Sequence, residues 1–189
     1  MFSLYLQQLR HYSALIAGLL LLPEAVGAVI GSPLGGRATA RIGARPAMLI
    51  GLLLGAAGFA GLLGTTTHTS YGYLVPVAFV AGFGMAFAMP AATVGAIQAA
   101  PASYVGIAAG VVNAARQTGS VLGVAILGAL PRAGSGFLPG FHRAVAASAV
   151  IFLAGAALNA AYMIAPRKGA RPQPDLQREA SEMDEQQPA

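Results

Sequence analysis

The sequence predicts an all-α fold, a polytopic transmembrane helix bundle of about five helices, on three observations. Hydrophobic residues fill 56% of the 189 positions and charged residues only 9%, against about 25% charged in an ordinary soluble domain. Too few charges are present to clothe a water-exposed surface. Five apolar runs are each at least 19 residues long, and a ~30 Å hydrocarbon layer is crossed by about 20 helical residues. None of the runs shows the apolar–polar alternation of a barrel strand, so in lipid they satisfy their backbone hydrogen bonds as helices.

The elements follow in order. Residues 1–12, MFSLYLQQLRHY, start apolar and turn polar at Gln7, Gln8 and Arg10. They are too short to span and lack the basic start and cleavage site of a signal peptide. They read as the last turns of a truncated helix, with an interfacial segment as the alternative. A five-helix transmembrane domain is expected over 13–165, with spans at Ser13–Gly36, Ala47–Thr65, Tyr73–Gln98, Gly106–Leu130 and Ala144–Ile164. Abundant Gly and the internal Pro23, Pro33, Pro76 and Pro90 suit membrane helices better than soluble ones. The connections are Arg37–Pro46, Thr66–Gly72, Ala99–Val105 and Pro131–Arg143. Residues 166–189, rich in Pro, Gln, Glu and Asp, lack the apolar surface to offset ordering entropy and read as a disordered cytoplasmic tail.

Charge placement separates the remaining classes. The net charge of +5 and a pI near 10.1 invite a nucleic-acid reading, but that requires Lys and Arg clustered on one solvated face. Here Arg37, Arg41 and Arg45 lie in one connection and Arg132 and Arg143 in another, so no nucleic-acid partner is expected. With Arg37, Arg41 and Arg45 cytoplasmic, strict alternation also puts Arg167, Lys168 and Arg171 in the cytoplasm. The N-terminus is then outside, the C-terminus inside, and the chain a multi-pass protein of the plasma (inner) membrane. The absence of Cys removes disulfides and thiolate metal sites. His11, His68 and His142 sit apart, as solvated residues outside the spans with no second ligand at metal spacing. Neither a metal, a cofactor nor a catalytic constellation is expected, and an enzyme has no support.

Two polar features inside the spans demand a reason. Glu24 lies near the middle of the first span, and Arg116 about ten residues into the fourth; a central Arg costs about 2.5–3.5 kcal/mol on insertion scales. Glu24 is either a proton- or cation-responsive group facing a cavity or a neutral carboxyl satisfied by a neighbouring helix. Asn113, Arg116 and Gln117 share one helical face, which Gly106, Gly110, Ser120 and Gly123 extend. That face has a cavity or interhelical role, a structural pairing role, or an Arg116 snorkelling to the interface. Gly82–Pro90 is bend-prone and reads equally as a hinge, a pocket wall or ordinary packing.

The short basic connection Gly36-Arg37-Ala38-Thr39-Ala40-Arg41-Ile42-Gly43-Ala44-Arg45 resembles the inter-helix signature of the major facilitator superfamily. The stretches YLQ at Tyr5–Gln7, LLPEAVGAVIGSPLGGR at Leu21–Arg37 and GVVNAARQTGSVLGVAILG at Gly110–Gly128 resemble its fourteen-helix drug:proton antiporter branch. The resemblance, with these stretches as its most specific parts, extends over most of 4–165. Ala40 stands where the signature usually carries an acid, which argues against a charge-locked gate at this loop. The Gly27–Gly36 run looks like the antiporter glycine–proline signature but lies before the basic loop, where another helix belongs in that pattern, so it does not count as evidence for antiport.

The resemblance implies a partial C-terminal half of a major facilitator fold, a fragment comprising the last five helices of a proton-coupled efflux transporter. It implies a lipid bilayer, missing N-terminal helices, a cationic or lipophilic drug and protons as partners, with no transport by the chain alone. Under it Glu24, Asn113, Arg116 and Gln117 line or support the cavity, and Gly36, Arg37, Arg41, Gly43 and Arg45 form the cytoplasmic loop motif. The rival expectation is a non-transporting membrane module that packs with a partner membrane protein.

Overall fold

The computed structural model describes residues 13–66, 69–129 and 137–164, and among them every regular element is a helix. Helix α1 (Ala14–Leu20) starts under the Ser13 hydroxyl, which accepts from the Ile16 N–H at 3.4 Å. Helix α2 (Leu22–Ile42) follows after Leu21 alone. The break has a cause in Pro23, which has no N–H to continue the α-helical ladder, while the Leu21 N–H closes a tighter turn onto the Gly18 carbonyl at 3.1 Å. Together α1 and α2 make one span, Leu15–Ile42.

Helix α3 (Ala44–Leu62) begins directly after Gly43, whose φ of 90° lies in the region that suits glycine. The basic segment expected as a loop over Arg37–Pro46 is therefore two helix ends joined by one residue. Arginine propagates a helix well, so Arg37 and Arg41 prolong α2 and Arg45 starts α3. Helix α4 (Tyr71–Ala99) is capped by the Ser70 hydroxyl. A single 3₁₀ turn (Ala102–Tyr104) leads into α5 (Val105–Ala129), and α6 runs from Phe137 to Ile164.

The α1–α2 span, α3, α4 and α6 are long and apolar enough to cross a membrane. The 25 residues of α5 match that length, but Asn113, Arg116 and Gln117 dilute its apolar character. The five expected spans thus appear as helices. Segments 1–12 and 166–189, with His11 and His68, lie outside the described residues.

Helix α4 forms the spine, packed against α2 on one flank and α3 on the other, while α6 packs on α3. Glycine sets the closeness of the first two contacts. Gly27, Gly31 and Gly35 recur every four residues along one face of α2 and are buried. A Cβ on them would run into backbone atoms of Phe79, Phe83 and Phe87 on α4. Across the other seam, Cβ atoms on Gly51 and Gly58 of α3 would strike Ala88 and Ala81, and one on Gly84 would strike the backbone at Gly55. In lipid, where apolar side chains gain little by leaving their solvent, such backbone proximity is what holds helices together.

Outward faces carry Leu15, Val29, Val124, Val150 and Leu158, all at least half exposed. In water they would form a large apolar surface; against acyl chains they match their solvent. Helix α5 lies at the margin beside α4 and α6, and none of its residues is buried.

Candidate functional site

Glu24 follows the α1–α2 break, on the first turn of α2. Gly82 of α4 lies against this turn, so closely that a Cβ there would meet the Glu24 carbonyl oxygen. The half-buried Glu24 side chain lines an open cavity of about 380 Å³ to which α2, α3, α4, α5 and α6 all contribute residues. Phe59 and Leu62 come from α3, Ala78 and Ala81 from α4, Leu127 from α5, and Phe141, Val145 and Ser148 from α6. Phe141 is fully buried and belongs to the principal apolar cluster with Ala17, Leu62, Leu74, Ala78 and Val145.

The chemistry of this space is sharply divided. One carboxyl group and one hydroxyl face walls that are otherwise aliphatic and aromatic. The Ser148 hydroxyl donates to the Ala144 carbonyl at 3.0 Å, which leaves its oxygen as an acceptor toward the cavity. Such a pocket suits a small apolar body carrying a positive charge, or a proton held on the carboxylate; its volume falls in the usual range for small-molecule sites.

A second cavity, of about 430 Å³, opens at the Gly43 end between α3, α4 and α6, beside Arg45, Met48, Gly95 and Asn159. Buried Asn159 donates through Nδ2 to the Arg45 carbonyl at 2.8 Å and so ties α6 to the start of α3.

The structure separates the expected site residues. Glu24 lines the first cavity, whereas Asn113, Arg116 and Gln117 are exposed on α5 and line neither cavity. Arg116 donates to the Asn113 side-chain oxygen at 2.9 Å. Along α5, Arg116 lies about 16 Å from Leu127, at 1.5 Å per residue. Of the basic motif, Arg37, Arg41 and Arg45 are exposed near the Gly43 turn, and Gly36 has open space beside it.

His142 differs from the sequence reading. It is not a solvated residue of a connection, because α6 begins at Phe137; it is half-buried, and its Nε2 lies 2.7 Å from the Thr65 carbonyl oxygen at the end of α3. The expected loop Pro131–Arg143 is helical from Phe137 onward, since Phe137 and Phe141 stack one turn apart and pack into the apolar cluster. Sequence reasoning also missed Ser148 and Asn159. Each was legible only as a lone polar residue inside an apolar run.

Among the described residues no cluster of three or more metal-ligating side chains occurs. The family model described as Major Facilitator Superfamily matches residues 1–187. The chain is 36% identical over 126 residues to Multidrug resistance protein Stp of Mycobacterium tuberculosis, an alignment covering 67% of this chain and 23% of that protein. It is 31% identical to the Tetracenomycin C resistance and export protein of Streptomyces glaucescens, over 68% of this chain and 24% of that one. With Multidrug transporter protein MdtP of Bacillus subtilis it shares 31% identity over 71% and 25%. The matched part of the chain thus spans about a quarter of the length of these relatives. No solved structure matches it.

Proposed function

The chain belongs to the Major Facilitator Superfamily, and from that premise we propose that its helices form part of a secondary transporter that expels lipophilic or cationic small molecules in exchange for protons. It is a multi-pass membrane protein of transporter rather than enzyme kind. The drug-resistance names of its relatives support the efflux reading.

The observation that carries the proposal is the cavity around Glu24. This is the sole acid of the first 165 residues, and it faces an apolar and aromatic space to which five spans contribute. A carboxylate there attracts either a proton or an organic cation. Occupation by one excludes the other, and that competition is the elementary requirement of exchange. Phe59 and Phe141 supply contact area, and Ser148 an acceptor. Asn113, Arg116 and Gln117 support the site from α5, the helix that also lends Leu127 to the cavity. The basic ends of α2 and α3 lie in the cytoplasm and the opposite end outside, as the positive-inside bias favours, in the plasma membrane.

Alternating access needs two bundles that move around a shared site, and the described helices leave α5 uncovered. We therefore expect the chain in vesicles under a pH gradient to move no fluorescent cation above a protein-free control. Co-expression with the helices that complete a transporter restores efflux, and Glu24→Gln in that complete assembly lowers gradient-driven efflux about a hundredfold or more with expression matched, the scale of losing a proton-transfer group. Efflux by Glu24→Gln at the parental rate overturns the assignment.

The same uncovered α5 also fits a non-transporting module docked on another membrane protein. Coding sequence for further facilitator helices immediately upstream decides for transport.

A further inference from the structure

Glycines behave differently across the bundle. Gly27, Gly31 and Gly35 of α2, Gly51 and Gly58 of α3, and Gly82 and Gly84 of α4 lie within touching distance of a neighbouring backbone, whereas Gly106, Gly110, Gly119, Gly123 and Gly128 of α5, like Gly36 at the end of α2, have no atom within 4 Å of where a Cβ would be. Gly106, Gly110 and Gly123 stand three or seven residues from Asn113, Arg116 or Gln117 and so border the polar face of α5 with small residues, and no described atom comes within 4 Å of where their Cβ atoms would be.

Arg116 stands on that surface, eleven residues after Val105 and thirteen before Ala129, near the middle of the helix. Its hydrogen bond to Asn113 goes to a neutral amide on its own helix and leaves most of its five donors unused. Glu24, the one acid of the described residues, lines the cavity instead.

We infer that the Gly110–Asn113–Arg116–Gln117 face of α5 is a docking surface for a transmembrane helix from outside the described bundle that carries a carboxylate at the depth of Arg116. The small residues let the two backbones approach. At that distance a guanidinium and a carboxylate form a two-pronged, charge-assisted pair in a medium that offers neither of them water. An amide or hydroxyl partner would bond the fork without neutralising it. A lysine-bearing helix would be repelled. This deepens the supporting role given above to Arg116, and it rests only on α5 lying in the bilayer.

The test reconstitutes the full chain, fluorescently labelled, in zwitterionic phosphatidylcholine vesicles at mildly alkaline pH. Synthetic single-span Leu–Ala helices bearing a central Glu, Gln or Lys are titrated in, and association is read by energy transfer. The expected order is Glu over Gln by roughly tenfold, with no binding of the Lys helix. Arg116→Gln removes the preference, and Arg116→Glu transfers it to the Lys helix. Equal binding of the Glu and Gln helices by the parent overturns the proposal, and that comparison needs no variant to fold. Energy transfer between copies of the chain that depends on Arg116 also overturns it, by making a second copy the partner. So does a Glu preference lost on adding phosphatidylglycerol, which would show a lipid phosphate to be the natural counter-ion. No substrate or gradient is present, so failure here leaves the Glu24 reading standing, and a fully active Glu24→Gln leaves this one standing.

Discussion

Glycine does opposite work on α2 and on α5, and a single methyl group tells the two apart. At Gly31 the added Cβ would press into the Phe83 backbone, an atom set that cannot rotate away. Gly31→Ala should therefore destabilise the bundle by about 1–3 kcal/mol, the usual cost of overpacking. Gly110→Ala, with open space beside it, should be neutral or slightly stabilising, because alanine favours the helix. Thermal unfolding of the two variants in detergent checks the contrast, and equal midpoints would refute it. What could be read at this scale depended on whether the signal lay within one residue. Glu24 declared itself by being acidic inside an apolar run. Its cavity did not, because Phe59, Phe141 and Ser148 arrive from segments 35 to 124 positions away. His142 was misplaced for a related reason: its bond to Thr65 spans 77 positions, and no local pattern announces such a contact.

At the scale of the element, length and hydropathy made the spans legible, while their ends were less so. The α2–α3 junction shows why. Arginines mark a loop by their charge and a helix by their propensity, and the chain resolves the conflict by ending both helices at Gly43. Orientation follows from the same residues. In this Cys-free chain, Arg41→Cys should react with a membrane-impermeant maleimide only after permeabilisation, and Thr66→Cys, exposed at the far end of α3, should react on intact cells. The reverse pattern would invert the topology. The polar face of α5 was legible as a face, since residues three and four apart must share one; what covers it is not encoded in α5 at all.

The molecule as a whole is held unevenly, with α4 tightly flanked and α5 nearly free. Phe87 is buried on α4 against Ala47 and Ala91, so Phe87→Ala should cost about 2 kcal/mol through lost packing. Val121→Ala, on exposed α5, should leave the unfolding midpoint of the chain unchanged, and a comparable loss at both positions would contradict the uneven architecture. The chain order of α4 has a consequence for biosynthesis. The glycine rows of α2 and α3 both face α4, which emerges from the ribosome after them. At about 5–20 residues per second, the α2–α3 hairpin waits on the order of seconds in the membrane with both rows turned to lipid. In that interval any other helix with small residues can lodge there, so the speed at which residues 63 to 99 are translated and inserted competes directly with misassembly of the nascent chain.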